Sequence, residues 1–217
     1  MIEIIPAVNV DSFEEIKERI KLVEPFTQWV QFDVADGTFT KNTIWHNAQD
    51  LSELETSLNI EVHLMINNID RRIKDWLLLN TCPAKGGVKR IIFHLSAAKD
   101  PDFVINEIKK AGKEAGIAVG PDESLSKAMH YRGKVDMFQI LGVCPGMPGQ
   151  KIEEETFERI KEVRKFCPSC IIEVDGGVNK ENAKKLGEAG ADILAAATAI
   201  FNGNIEKNIK ELKNVFN

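Results

Sequence analysis

Short apolar runs alternate with longer amphipathic ones along the whole chain. The short runs are Glu3–Pro6, Trp29–Val34, Ile60–Ile66, Val88–His94, Ile117–Val119, Met137–Val143, Ile171–Val174 and Ile193–Ala196. Most are rich in Ile and Val, as strands of a parallel sheet buried on both faces tend to be. The segments between them carry apolar residues at helical spacing. Phe13, Ile16 and Ile20 share one face, with Glu14, Lys17 and Glu18 opposite. Val104, Ile105 and Ile108 repeat the pattern, as do Phe157, Ile160 and Val163, and then Ile205, Ile209, Leu212 and Phe216. Boundary signals agree. Ser12 precedes the first helical pattern with Glu15 three residues on, a capping box. Asp100-Pro101 opens another, with proline at a tolerated first position. Gly112, Gly116 and Gly190 are expected to stop helices before the following strand.

Eight strands with up to eight helices give units of about 27 residues. Parallel strands need crossovers, and eight such units close into an α/β (β/α)8 TIM barrel, expected as one domain over residues 1–217. The second unit, Trp45–Leu58, has a poorly patterned helix, and the fifth has a short strand. The competing doubly wound open sheet usually shows a Gly-rich turn after its first strand, and Pro6-Ala7-Val8-Asn9 has none.

Composition narrows the class. With 43% apolar residues in 217, the chain is not disordered. No stretch approaches the roughly 18 uninterrupted apolar residues of a membrane span. The start, Met1-Ile-Glu-Ile-Ile-Pro6, lacks the regions of a signal peptide, so a cytoplasmic location without a membrane partner is expected. Lys+Arg 28 against Asp+Glu 33 are interspersed, and no basic stripe points to nucleic acid. Cys167-Pro-Ser-Cys170 has no second pair to complete a zinc site. It also runs into an apolar strand rather than opening a helix, as a thioredoxin-like pair should.

Barrel chemistry sits at the C-terminal ends of strands, so polar residues interrupting apolar runs there are the candidates. Alternation places Gln31 with Asp33 on the second strand, Glu61 with His63 and Met65 on the third, and Glu173 with Asp175 on the seventh. Asp33, His63 and Asp175 thus converge at one barrel mouth, where unpaired buried carboxylates would be costly. Glu61 and Glu173 lie one layer deeper and suit structural hydrogen bonding. Asp36-Gly37 is a turn by composition. Phosphate signals cluster elsewhere on the rim, at Gly176-Gly177 after strand seven, at Thr198 after strand eight, and in Cys144-Pro-Gly146-Met-Pro-Gly149-Gln after strand six.

Four of these stretches resemble, in order and spacing, the motifs of ribulose-phosphate 3-epimerases: Gln31-Phe-Asp33-Val-Ala-Asp36-Gly37, Glu61-Val-His63-Leu-Met65, Pro145-Gly-Met-Pro-Gly149-Gln150 and Glu173-Val-Asp175-Gly-Gly177. The resemblance spans nearly the whole chain. It implies an isomerase of the pentose phosphate pathway that interconverts ribulose 5-phosphate and xylulose 5-phosphate, with Asp33 and Asp175 as acid/bases on opposite faces of C3. It also implies a divalent metal (zinc, iron or manganese) on Asp33, His63 and Asp175, Met65 over the enediolate, and phosphate held by Gly146, Gly149, Gly176, Gly177 and Thr198. Homo-oligomers are usual in the family. Departures stand beside this. Gln31 replaces the His that is the family's first metal ligand, and an amide oxygen is a poorer ligand than imidazole for zinc or iron. Ala7 replaces a Ser, Cys144 an Asn, Pro148 a Gly and Ala197 a Gly. His46 is a candidate substitute imidazole, although Trp45-His46-Asn47 reads more simply as a helix start. Two alternatives remain open: an epimerase of another ketose or hexulose phosphate, and a non-catalytic phosphosugar-binding paralogue.

Overall fold

A computed structural model describes residues 2–77, 86–146 and 149–216. Eight parallel strands run in chain order: β1 (Glu3–Val8), β2 (Trp29–Ala35), β3 (Asn59–Met65), β4 (Gly87–His94), β5 (Glu114–Val119), β6 (Met137–Leu141), β7 (Ile171–Asp175) and β8 (Ile193–Ala196). Each pairs with the next, and β8 pairs with β1 to close the barrel. Closure leaves no free sheet edge. The helices are α1 (Phe13–Val23), α2 (Ile69–Leu77), α3 (Pro101–Lys110), α4 (Leu125–Met129), α5 (Glu155–Phe166), α6 (Ala183–Ala189), α7 (Thr198–Phe201) and α8 (Ile205–Asn214). None of the described helices is long and apolar enough to cross a membrane.

The core lies between strands and helices rather than in the barrel lumen. Ile16, Ile20 and Val23 of α1 bury against it, as do Val104, Ile105 and Ile108 of α3. Ser12 accepts from the Glu15 N–H while the Glu15 carboxylate accepts from the Asp11 N–H, so the start of α1 forms where the sequence placed it. The Asp100 carboxylate likewise caps α3. The weak second unit holds only a 3-10 turn over Ala48–Glu53, capped by Asn47.

One expectation about the glycines is corrected. Gly112, at φ +71, and Gly190, at φ +122, do follow helix ends. Gly116 instead sits inside β5, which begins at Glu114, three residues earlier than the apolar run suggested, and the inward space at Gly116 is filled from neighbouring strands. A Cβ at Gly116 would lie 3.0 Å from both Ile92 and Met137. Cys167 and Cys170 are joined by a disulfide across the turn from α5 into β7.

Candidate functional site

Parallel register sets side chains of adjacent strands at one height. Gln31 lies beside Glu61, Asp33 beside His63, and Gln139 beside Glu173. The lower tier is therefore polar: Gln31, Glu61, Gln139 and Glu173 are all fully buried. Arg90 reaches into this tier from β4, 2.6 Å from Glu61 and 2.8 Å from Glu114. Burial pushes the carboxyls of Glu61 and Glu173 up, and Arg90 only partly pulls them back. Glu61 Oε1 and Glu173 Oε2 find no hydrogen-bond partner among the described residues, and a negative charge on one disfavours ionisation of the other.

Above that tier the strand ends bring Asp33, His63 and Asp175 together. His63 Nδ1 lies 3.4 Å from an oxygen of each aspartate, and one ligand atom from each of the three fits within 4.8 Å. Gln31 donates from Nε2 to Asp33 Oδ1 at 2.8 Å and to Asp175 Oδ2 at 2.9 Å. Its Oε1 accepts from Gln139 Nε2, which also donates to Glu173. Two carboxylate acceptors on one side and an amide donor on the other dictate that orientation, so Gln31 presents its nitrogen, not its oxygen, to the group. Asn9 donates to the second oxygen of Asp33 at 3.0 Å.

His63 is 1% exposed, and burial alone would lower its basicity, but Asp175 and Asp33 override that and raise it to about 9. Its Nδ1 makes no polar contact closer than the 3.4 Å to each aspartate among the described residues. Once its proton is displaced, an imidazole nitrogen beside two carboxylate oxygens is the donor set that a divalent cation satisfies, so these residues fit a metal. On its other side His63 Nε2 is 3.1 Å from His94 Nε2, and His94 Nδ1 is 3.3 Å from Glu123 Oε2. Glu123 is held near pKa 2: burial would raise it, but bonds from His94, the Gly120 N–H and Ser96 outweigh this.

The group opens into a cleft of 410 Å³ whose lining includes Asp33, His63, Met65 and Asp175. Gly146, Gly149, Gly176, Gly177 and Thr198 line the same cleft, so the candidate residues of both kinds face one space. Gly177 is at φ +74, and a Cβ there would lie 2.6 Å from the Ile152 nitrogen, so only glycine fits the rim. Thr198 opens α7. Ala7 and Ala197 line an adjoining cleft, and Cys144 is exposed, its carbonyl accepting from Gln150. Pro148 lies outside the described residues. His46 is not brought to the site: it is exposed, bonded to the Ile44 carbonyl, and lines a separate surface cleft. Asp36 makes its turn by accepting from Thr38 and pairs with Arg72.

Asn9, Gln139, His94 and Glu123 escaped the sequence reading. His94 ends a recognised strand and was visible as a polar strand end; Gln139 interrupts an apolar run. Asn9 and Glu123 sit in loops, where nothing in the pattern marks them.

A sequence model of the ribulose-phosphate 3 epimerase family matches residues 3–201. The chain is 32% identical over 221 residues to a ribulose-phosphate 3-epimerase of Bacillus subtilis, covering 98% of this chain and 99% of that one. It is 33% identical over 204 residues to the chloroplastic ribulose-5-phosphate-3-epimerase of Arabidopsis thaliana, covering 90% and 70%. Among solved structures, the 3-hexulose-6-phosphate synthase of Salmonella typhimurium superposes with a TM-score of 0.74 at 12% identity, covering 99% of this chain and 98% of that one. At that identity the likeness concerns the fold alone.

Proposed function

Since the chain belongs to the ribulose-phosphate 3-epimerase family, we propose that it interconverts D-ribulose 5-phosphate and D-xylulose 5-phosphate, with residues 1–217 acting as one barrel domain. The observation that supports this reading is the convergence of Asp33, His63 and Asp175, with one ligand atom from each within 4.8 Å of the others.

A C–H beside a carbonyl is too weakly acidic for a carboxylate alone, so the developing oxyanion must be stabilised. Asp33, His63 and Asp175 would hold a divalent cation, which would supply that positive charge as a Lewis acid. Inversion at C3 needs a proton removed on one face and returned on the other, and Asp33 and Asp175 are assigned those two roles. Gln31 donates to one oxygen of each, which holds two like charges in fixed positions and reduces their repulsion. Asn9 fixes Asp33 from its other side. Met65, 2% exposed on β3, gives apolar cover beside the carboxylates. The rim of Gly146, Gly149, Gly176, Gly177 and Thr198 is assigned to the substrate phosphate.

The test is turnover of ribulose 5-phosphate with zinc, iron, manganese or cobalt supplied. Asp175→Asn should lose about 10²–10⁴-fold in turnover, the range for a missing acid/base. No turnover by the unaltered chain with any of the four metals would sink the reading. Solvent deuterium entering a different phosphosugar instead would move it to another substrate.

A further inference from the structure

The buried chain His63–His94–Glu123 ends on groups whose hydrogen-bonding sense is unambiguous, and that sense propagates inward. Glu123 Oε2 accepts from the Gly120 N–H at 2.7 Å, and Oε1 accepts from Ser96 Oγ. Arg159 on α5 grips the same turn through the carbonyls of Gly120, Pro121 and Glu123 at 2.7–3.1 Å. Glu123 is therefore a fixed acceptor, so His94 must carry its hydrogen on Nδ1. A ring that donates from Nδ1 and accepts at Nε2 leaves only one role for the facing atom: His63 Nε2 must donate to it. When a cation displaces the second proton of the His63 ring, the lone pair is therefore on Nδ1, the atom that faces Asp33 and Asp175. With His94 in the reverse tautomer, His63 Nε2 would become the acceptor and Nδ1 would bear a hydrogen, closing that position to a cation.

We propose that Glu123, acting through His94, is a positioning residue that selects the ring nitrogen His63 offers to a divalent cation. Phe39 covers the His94 ring with centroids 4.4 Å apart, and His94 is fully buried, so no water competes for its nitrogens. Outer partners that orient a ligating imidazole typically matter 10–100-fold in metal affinity. The inference rests on the reading that His63 holds a metal.

Cobalt(II) titration followed by visible absorbance, on the unaltered chain and on Glu123→Ala, tests it. Gln would not serve, because the Gly120 N–H donates to the same oxygen that faces His94 and would hold an amide oxygen there. Without that acceptor the direction of the chain is no longer imposed. Cobalt binding is expected to weaken by about 10–100-fold in Glu123→Ala, at a temperature where thermal unfolding shows the variant folded. In parallel, 15N–1H correlation spectra of the histidine rings in the unaltered metal-free chain should show the His94 hydrogen on Nδ1. That measurement needs neither a variant nor a metal. A His94 hydrogen on Nε2, or equal cobalt affinity in the folded Glu123→Ala, overturns the inference and leaves the metal reading standing. An unaltered chain that binds no cobalt overturns both.

Discussion

Gln31 stands where the family likeness leads one to expect an imidazole, and it has a different task. Its amide nitrogen joins the two aspartates, and its oxygen ties them to Gln139 in the tier below. Removing that amide leaves two carboxylates without a shared donor. Gln31→Leu should lower the unfolding free energy by about 1–3 kcal/mol, the cost of stranding buried polar groups. Urea denaturation of the metal-free chain measures it, and an unchanged midpoint would show that the amide is not a structural tie. The identity of Gln31, Asp33, His63 and Asp175 as candidates was legible from alternation alone. Which end of the amide faces which partner was not, because it depends on a residue 108 positions away.

At the scale of the element, β5 shows why a strand hides. Its inner face carries Gly116, whose missing side chain leaves room for Ile92 and Met137. An apolar pattern cannot register a residue whose function is to be small. Gly116→Ala should overpack the lumen and cost about 1–3 kcal/mol. Gly112→Ala tests a different cause: nothing lies within 4 Å of its Cβ, but φ is +71, so about 1–2 kcal/mol of backbone strain is expected. Thermal unfolding of the pair separates the two costs if Gly116→Ala is partly rescued by Met137→Ala, which removes the clash, while Gly112→Ala is not. The other strands and the capped helices were readable because each depends on residues close in sequence. Ser12 with Glu15, and Asp100 with Phe103, are local bonds.

For the whole molecule, closing the barrel buries charge in its lumen, and this makes stability depend on pH. Glu61 and Glu173 lie above their ordinary value of 4.5, so above that pH the folded chain holds more protons than the unfolded one. Stability is then fully present below about 4.5 and falls as the pH rises through the folded values. His63 acts in the same sense without metal: raised from 6.5 to about 9, it adds stability below 6.5 that is lost on approaching 9. The metal-free chain should therefore melt at lower temperature at pH 9 than at pH 6. Glu173→Gln should flatten that decline, since its amide needs no proton to accept from Gln139. A slope identical in parent and variant would refute the assignment to this tier. Strand order, helix starts, the strand-end carboxylates and the family followed from the sequence, because periodicity, capping and motif spacing are written in neighbouring residues. The tertiary structure alone decided that Gln31 donates, that His46 stays away, and that Glu123 and His94 stand behind His63. Those facts depend on side chains from separate strands meeting in one buried volume, where every donor must find an acceptor.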